Sequence, residues 1–335
     1  MARALMAALE NAAKVELVSD LRLYDGKGDT GVQARLQQRA ETEAKRLIAK
    51  AADWQAWITY HNYYKAPDII GPLVSRALNI PYIQIESTRS PRRQKGPWAR
   101  FAGLCEAASD HADLIFYVTQ RDRVALQQHK PAQQILTRLH PFLPRINLPA
   151  PAPLNSKTIL TVAMLRHGDK MASYEIIAKA LPLLTSPDWQ LNIAGDGPAY
   201  PEIKALFAPF GARVRFLGQL EQSGLNAAYH SASAFFWPGV NEAFGMVYLE
   251  AQAAGVPVVA QDRSGVRDVV HPDGLTPQDQ GPAALAGSLD TVLQSADLRQ
   301  SRGQDSRRFI AENHLLNAAS DTLLNGINRI ILNRS

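Results

Sequence analysis

The chain has 335 residues, of which 46% are hydrophobic and 20% are charged. This composition is ordinary for a soluble globular protein and excludes collagen, coiled coil and disorder, while the length predicts two domains. No apolar run approaches the roughly 20 residues that span a bilayer, and the start lacks a signal-peptide pattern, so we expect a cytoplasmic protein. Because Cys105 is the only cysteine, we expect neither a disulfide framework nor a multi-cysteine metal site.

Short apolar runs alternate with helical patterns in the first half of the chain. After an initial helix over residues 2–12, strands are predicted at Val15–Val18, Ala56–Thr59, Tyr82–Ile85 and Leu114–Val118. Because a parallel α/β domain normally begins with a strand, this order predicts a domain whose first strand and following loop are missing. Either the start codon is placed too late or the natural chain is shortened, and the alternative to both is an N-terminal helix that is simply there.

The net charge of +5 belongs to the first half of the chain. Residues 1–150 carry 21 Lys and Arg against 14 Asp and Glu, a balance of +7, and the rest carries 15 against 17, a balance of −2. Much of the excess lies in one segment, at Arg89, Arg92, Arg93, Lys95 and Arg100. Such a cluster fits an anionic substrate or a lipid surface, or is a solvated loop. Nucleic acid is not expected, because only Trp98 interleaves with the basic residues and no nucleic-acid motif is present.

A proline-rich stretch separates the two halves. Five prolines fall between Pro141 and Pro153, and because proline removes backbone donors and fixes φ, this stretch predicts a linker. Beyond it, helices are predicted over about Tyr174–Leu184 and Gly245–Ala254. The strands predicted there are Thr158–Val162, Leu191–Ala194, Val214–Leu217, Ala234–Trp237 and Val256–Ala260.

This alternation predicts an α/β chain with two Rossmann-like, doubly wound parallel sheets that face each other across a cleft. The predicted parts are an N-terminal domain over residues 1–145, a linker over 146–156, a C-terminal domain over 157–310, and a final helix over 311–335 that crosses back to the first domain. In open parallel sheets ligands bind beyond the carboxyl ends of the strands, so we expect the functional residues in the loops there.

The segment from Asn241 to Ala260 carries the strongest chemical signal. Glu242 ends a loop after an apolar strand, and Gly245 begins a helix whose first amides, those of Gly245, Met246 and Val247, lack partners within the helix. Free amides and the positive end of the helix dipole predict an anion site that suits a phosphate. Glu250 can accept hydrogen bonds from a diol such as a ribose, and Glu242 from the hydroxyls of a second ring. A phosphate between two polyols describes a nucleotide sugar.

These residues resemble the E-x7-E signature of the family 4 retaining glycosyltransferases, which have the two-domain GT-B fold. The resemblance covers most of residues 158–275. The turn Gly195-Asp196-Gly197-Pro198 is similar to the family's G-D-G-P turn, and Val214–Gly218 is similar to its V-x-F-L-G strand. Phe236-Trp237-Pro238, the two glutamates and Ala254–Ala260 follow in the order and spacing of the family.

The resemblance implies roles for residues of the C-terminal domain. Glu242 would contact the donor sugar and Glu250 the ribose hydroxyls, while the Gly195 turn and the amides at the start of the helix would meet the sugar and the diphosphate. The family also places an arginine and a lysine after the first strand of this domain, where they neutralise the leaving diphosphate. Arg166 and Lys170 are the candidates here, although they are four residues apart rather than five and Met164 stands at the aligned arginine position.

The resemblance implies that the N-terminal domain holds the acceptor. Family members often have a histidine after a middle strand of that domain, whereas this chain has Glu86 at that place. Glu86 is therefore a candidate to bind a sugar hydroxyl, with His61 and Arg89 as further acceptor-side candidates. A packed aromatic neighbourhood for His61 is the alternative.

The combined prediction is a metal-independent retaining glycosyltransferase that moves a sugar from a nucleoside-diphosphate sugar to a cell-surface polysaccharide or glycolipid acceptor. No cofactor and no metal are expected, because neither D-x-D nor H-E-x-x-H occurs. We also expect peripheral contact with the anionic inner face of the membrane. A catalytically silent nucleotide-sugar-binding protein and a sugar-nucleotide epimerase of the same fold are the alternatives. The lone G-x-G-x-x-G match at Gly26–Gly31 is interpreted as a flexible loop.

Overall fold

The computed structural model describes residues 1–51 and 53–332. The chain divides into two compact units, the first formed by Met1–Leu139 with Ala319–Ser335 and the second by His140–Ala318. Each unit contains one parallel β-sheet with helices packed against it.

The sheet of the first unit has four described strands that lie side by side in chain order. They are β1 (Trp57–Asn62), β2 (Tyr82–Ser87), β3 (Leu114–Tyr117) and β4 (Ile135–Arg138). The helices before and between them are α1 (Ala2–Glu10), α2 (Thr30–Lys50), α3 (Ile70–Leu78), α4 (Ala99–His111) and α5 (Gln120–His129). All neighbouring strands are parallel, and Ile83 lies opposite Leu114 at the centre of the sheet.

Both faces of this sheet are covered. Ile115 belongs to a buried cluster with Ala44 of α2 and Val74 of α3. Successive side chains of a strand point to opposite faces, so Phe116 points the other way. Its ring lies so close to the helix backbone at Gly326 that a Cβ there would meet it at 2.6 Å.

A buried polar network joins the first two strands. The carboxylate of Asp68 accepts hydrogen bonds from the Tyr82 hydroxyl at 2.6 Å and the Thr59 hydroxyl at 2.5 Å. It also accepts a bond from the Gly71 amide at 2.9 Å. Since buried polar groups are costly unless they are hydrogen-bonded, this network specifies how α3 meets the sheet.

One strand predicted in the first unit is wrong. Residues 14–25, which include Val15–Val18, form neither helix nor strand. An apolar run becomes a central strand when both of its faces are buried, and here the Leu17 side chain is 70% exposed. Conversely, the sequence reading missed β4, whose four residues are only half-buried.

The second unit contains the other six described strands, β5 (Thr158–Val162), β6 (Gln190–Ala194), β7 (Val214–Gly218), β8 (Ala234–Phe236), β9 (Val258–Gln261) and β10 (Leu275–Thr276). Its helices are α6 (Asp169–Ala180), α7 (Tyr200–Phe207), α8 (Gln222–Ser231), α9 (Met246–Ala253), α10 (Gly281–Gln294) and α11 (Ala296–Asn313). The last helix, α12 (Leu316–Leu332), begins here and belongs to the first unit from Ala319 onward.

The strand order of the second sheet is β7-β6-β5-β8-β9-β10. The chain thus proceeds outward from β5 in one direction, then returns and proceeds outward from β8 in the other, which is the doubly wound arrangement. The predicted architecture of two parallel-sheet domains is confirmed. The reversal of strand order is found in the second sheet, whereas the described strands of the first sheet follow chain order.

The proline-rich stretch contains no described helix or strand between residues 139 and 157. Arginines of α11 hold it in place. Arg307 donates a hydrogen bond from Nη1 to the Pro149 carbonyl at 2.8 Å, and Arg299 donates from Nε to the Leu154 carbonyl at 3.0 Å. The stretch is therefore tied to the second unit along its length.

Candidate active site

The reversal of strand order brings two loops together. The loop after β5 and the loop after β8 begin on neighbouring strands, because β5 and β8 pair directly. In open parallel sheets such a switch point is where ligands bind. A cavity of about 260 Å³ lies there, lined by Arg166, His167, Asp169, Lys170, Val240, Asn241 and Glu242. The structure thus brings the three predicted catalytic residues, Arg166, Lys170 and Glu242, to one place.

Glu242 is held from two sides. Its Oε1 forms an ion pair with the Lys170 ammonium and accepts a hydrogen bond from the Trp237 Nε1–H at 2.9 Å. The Lys170 Nζ also lies 5.3 Å from the centre of the Trp237 ring, within the range of a cation–π interaction. The Lys170 and Glu242 side chains are 22% and 14% exposed, so both remain accessible from the cavity.

The loop around Glu242 is tied to the start of α6. Asn241 has a left-handed backbone with φ of +50°, and its Nδ2 donates a hydrogen bond to Asp169 Oδ2 at 2.8 Å. The Val240 amide donates to the Ser173 hydroxyl at 3.1 Å. Asparagine adopts a left-handed backbone more readily than most residues, and these two bonds hold the loop in that conformation.

The helix α9 begins directly after this loop. Gly245 precedes it with a φ of +71°, and a Cβ on Gly245 would lie 2.9 Å from the Tyr248 ring. Only glycine fits that combination of backbone and neighbour. The amides of Gly245, Met246 and Val247 therefore lie at the helix N-terminus, where they are available to an anion.

Glu250 lies on the second turn of α9 and is partly buried. Its Oε2 accepts a hydrogen bond from the Tyr229 hydroxyl at 2.9 Å. Burial raises the pKa of Glu250 above its ordinary value, while the Tyr229 bond and the charge of Arg145 act in the opposite direction. The carboxylate is thus desolvated but partnered, as expected for a group that accepts hydrogen bonds from a ligand.

The turn at Gly195 lies beneath the loop after β5. A Cβ on Gly195, where φ is +141°, would overlap the Ala163 carbonyl oxygen. The Leu165 amide donates to the Asp196 carbonyl at 3.0 Å, and the Ala199 amide donates to the Leu165 carbonyl at 2.9 Å. The absence of a side chain at Gly195 therefore allows the loop that carries Arg166 to pack directly on this turn.

Comparison with known proteins agrees with this geometry. Residues 156–295, all within the second unit, match the family described as glycosyl transferases group 1. Residues 156–295 are called the group 1 domain below, after the family that they match. The predicted resemblance to the family 4 glycosyltransferases is confirmed.

Two curated glycosyltransferases are similar to parts of this chain. A phosphatidyl-myo-inositol mannosyltransferase of Mycobacterium tuberculosis is 35% identical over 158 residues, which are 44% of this chain and 41% of that protein. The chain thus matches about two fifths of the length of this relative. A D-inositol 3-phosphate glycosyltransferase of Corynebacterium glutamicum is 27% identical over 74% of this chain and 68% of its own.

The fold extends beyond the group 1 domain. The crystal structure of Anabaena HepE in complex with UDP and glucose superposes with a TM-score of 0.64 over 86% of this chain and 81% of that one, at 16% sequence identity. Since the likeness covers both units, the GT-B fold is confirmed for the chain.

The acceptor-side candidates Glu86 and His61 lie outside the group 1 domain, at the carboxyl ends of neighbouring strands of the first sheet. Both have left-handed backbones, with φ of +59° and +74°. The ring of exposed His61 lies 4.7 Å from that of Tyr63. Burial raises the pKa of Tyr60, and the charge of Glu86 and a hydrogen bond to it add to this shift. A tyrosine hydroxyl thus contacts the Glu86 carboxylate.

The third acceptor-side candidate, Arg89, has a buried side chain that is paired with two carboxylates. Its side chain is 2% exposed and donates to Glu106 Oε2 at 2.8 Å and to Asp110 Oδ1 at 2.7 Å. Both carboxylates lie on α4. The Arg89 guanidinium is therefore buried in an ion pair with these two carboxylates, which does not favour a contact with an acceptor.

Sequence reasoning missed several neighbours of the site in the group 1 domain. Trp237 was noticed as part of a strand motif, but its hydrogen bond to Glu242 was not expected. Asn241 and Asp169 bridge the two loops, and Tyr229 contacts Glu250. The sequence contains two weak signals for Asn241. It stands beside Glu242, and asparagine tolerates the left-handed backbone that the loop has there.

No group of three or more His, Cys, Asp or Glu side chains among the described residues is arranged to hold a metal ion. None of the described helices has both the length and the apolar character that a membrane span requires.

Proposed function

We propose that the chain is a retaining glycosyltransferase that uses a nucleoside-diphosphate sugar and transfers the sugar to a cell-surface polysaccharide or glycolipid acceptor. The observation that supports this best is the cavity at the β5–β8 switch point. It places the cations Arg166 and Lys170 and the carboxylate of Glu242 around one space, and α9 begins four residues after Glu242 in the chain.

The chemistry needs charge stabilisation more than a nucleophile. In the proposed step the acceptor hydroxyl oxygen bonds to the anomeric carbon as the bond from that carbon to the diphosphate oxygen breaks. The bonding electrons and the hydroxyl proton pass to the diphosphate, which leaves from the face that the acceptor attacks. Arg166, Lys170 and the α9 amides stabilise the leaving diphosphate, and Glu242 orients the sugar by accepting bonds from its hydroxyls. No metal and no cofactor enters this step.

The relatives support a nucleotide-sugar donor and a glycan or lipid-linked acceptor. One solved neighbour holds UDP and glucose, and the curated relatives are named as transferases that act on an inositol lipid or an inositol phosphate. We extend the donor class and the general acceptor class to this chain as part of the proposal.

A second candidate is a protein that binds a nucleotide sugar without transferring it. The observation in its favour is Met164, which is 49% exposed on the loop after β5 at the position where the resemblance places an arginine. A binding protein and an enzyme differ in turnover, so one experiment can compare them.

The test is a thermal-shift panel with UDP, GDP, ADP and their common sugars, on the native chain, on Glu250→Ala and on Glu312→Ala as a control. Glu312 is an exposed glutamate of α11. A nucleotide at about one hundred times its Kd adds about 2.7 kcal/mol to the native state. We expect one base to raise the Tm of the native chain and of Glu312→Ala but not of Glu250→Ala.

A turnover assay with the sugar nucleotide that binds separates the two candidates. Release of free nucleoside diphosphate from the sugar nucleotide in the presence of glycan or glycolipid acceptors supports the transferase. Binding without release under any acceptor supports the binding protein. Absence of any thermal shift would refute both.

We also propose that the first unit contacts an anionic membrane surface. The loop after β1 and the segment before α4 form a surface in which cations lie over aromatic rings. The Arg93 guanidinium lies 5.1 Å from the Tyr64 ring centre, and the Lys65 Nζ lies 5.6 Å from that of Trp98. Aromatic rings beside cations favour the headgroup region of a bilayer that contains anionic lipid.

Vesicle co-sedimentation tests this surface. The variant Arg93→Ala/Lys95→Ala should lose most of its binding to vesicles of phosphatidylglycerol and phosphatidylcholine, because each cation near such a surface contributes about 1 kcal/mol. The control Arg35→Ala/Arg39→Ala removes two exposed cations of α2 and should bind as the native chain does. Equal loss in both variants, or no loss in the first, contradicts the proposal.

A further inference from the structure

Tyr229, on α8, contacts two parts of α9 with one hydroxyl group. The hydroxyl lies 2.9 Å from Glu250 Oε2 and 3.3 Å from the Val247 carbonyl oxygen. It has a single proton to donate, and the charged, closer carboxylate oxygen is the better acceptor. The residue is 3% exposed and its ring packs against Phe235, so the hydroxyl is held in place.

The contact opposes the cost of burying Glu250. Burial raises the pKa of this carboxyl, and the bond from Tyr229 together with the nearby charge of Arg145 lowers it again. Desolvation and the adjacent Glu250 charge also raise the pKa of the Tyr229 hydroxyl, so the tyrosine remains the donor. The pair is thus a carboxylate with one oxygen engaged by the protein and the other, Oε1, able to accept bonds from a ligand.

We propose that Tyr229 is a positioning residue for recognition of the nucleoside ribose, acting through Glu250. By engaging Oε2, the tyrosine orients the carboxylate so that Oε1 meets the 2′- and 3′-hydroxyls. This inference rests on the proposed function, because it assumes that α9 binds a nucleoside diphosphate. It adds a residue from outside the glutamate signature, 21 positions before Glu250.

The test compares ribonucleotides with deoxyribonucleotides. Isothermal titration measures the Kd of UDP, GDP and ADP, and of dUDP, dGDP and dADP, for the native chain and for Tyr229→Phe. For the base that binds, we expect the native chain to prefer the ribonucleotide at least about tenfold. In Tyr229→Phe the ribonucleotide should bind about fivefold to tenfold more weakly, while the 2′-deoxy form changes by less than about twofold.

Tyr82→Phe is the matched control. Tyr82 is also a buried tyrosine that donates to a carboxylate, that of Asp68, but it lies in the first unit. Both variants should lose similar stability, and only Tyr229→Phe should lose ribose preference. The double variant Tyr229→Phe/Glu250→Gln should lose no more preference than Glu250→Gln alone, because the two residues act as one group.

The outcomes separate two failures. One result refutes the role of Tyr229 and leaves the proposed function standing. In that result the native chain binds a nucleotide, and Tyr229→Phe either weakens binding of the ribonucleotide and the 2′-deoxy form equally or changes neither. If the native chain binds none of the six nucleotides, the proposed function is refuted and the role of Tyr229 with it.

Discussion

At the scale of single residues, one absent methyl group lets two loops of the second unit touch. Gly195 and the loop after β5 pack so closely that the Ala163 carbonyl occupies the place of a Cβ. A side chain at this position therefore has to displace the loop that carries Arg166. The positive φ of Gly195 adds a backbone cost for any other residue.

We expect Gly195→Ala to lower the free energy of unfolding by about 2 to 4 kcal/mol and to weaken nucleotide binding. Gly211→Ala is the control, because Gly211 also has a positive φ but has open space around it. It should lose about 1 kcal/mol and bind nucleotide normally. Chemical denaturation and titration calorimetry measure both quantities. Equal stability loss in the two variants contradicts the role of the Ala163 contact.

The sequence identified site residues whose partners lie nearby in the chain, and it did not identify pairs that are far apart in the chain. Glu242, Glu250 and Gly245 follow from spacing along one loop and one helix. The partners of Arg89 do not, because Glu106 and Asp110 lie 17 and 21 positions away and reach it only through the packing of α4. A run of basic residues indicates charge but does not show which of them a distant acid neutralises.

At the scale of elements, Asp290 of α10 holds the chain segment after α6. Its carboxylate accepts bonds from the Thr185 amide at 2.7 Å, the Thr185 hydroxyl at 2.8 Å and the Ser186 amide at 2.9 Å. Burial by itself acts to raise the pKa of Asp290, but these bonds outweigh it and hold the pKa below the ordinary value. The charged form is therefore the one that stabilises the fold.

This gives a pH-dependent prediction. Because the folded pKa is lowered, the stabilisation is fully present above the unfolded pKa of about 3.9 and is lost as the pH falls through the folded value. Asp290→Asn should lower the free energy of unfolding by about 1 kcal/mol at pH 7, and the difference from the native chain should shrink below about pH 4. Urea denaturation from pH 3 to 7 measures it. Asp188→Asn, at an exposed position, is the control. If the loss in free energy of unfolding caused by Asp290→Asn is as large at pH 3 as at pH 7, the assignment is contradicted.

Strands were predictable where an apolar run is buried on both faces. Thr158–Val162 was predicted with the bounds that β5 has, and it lies in the centre of its sheet. The run at Val15–Val18 looks similar in sequence but pairs with none of the described strands, and β4 pairs with one of them, β3. Pairing is a property of the whole sheet, so a short window of sequence does not contain it.

At the scale of the whole molecule, the two units differ in how the chain builds them. The second unit is one continuous stretch, whereas the first takes the end of α12 from beyond it. Leu323, Ile327 and Ile330 of that helix are buried, and Gly326 lies against Phe116 of β3. Strand order in the second sheet, and with it the meeting of the two site loops, arises only when the second unit has folded as a whole.

A chain that ends at residue 318 should therefore lose stability in the first unit. Burial of three such side chains contributes roughly 1.5 to 3 kcal/mol each, which corresponds to a fall in Tm of roughly 10 °C or more. Hydrogen exchange should rise across residues 1–139 and stay unchanged across 140–318. The variant Asp321→Ala, on the exposed side of α12, should leave both units as they are. A uniform rise in exchange across both units contradicts the prediction.

The position of α12 after the second unit in the chain also determines when each unit can finish folding during translation. The face of β3 that carries Phe116 emerges early, but the helix that covers it is translated only after the entire second unit. At a synthesis rate of roughly 5 to 20 residues per second, that face stays uncovered for roughly ten to forty seconds. The second unit, encoded without interruption, can complete itself first. The first unit thus exposes an apolar face of its sheet for longer during translation than the second unit does.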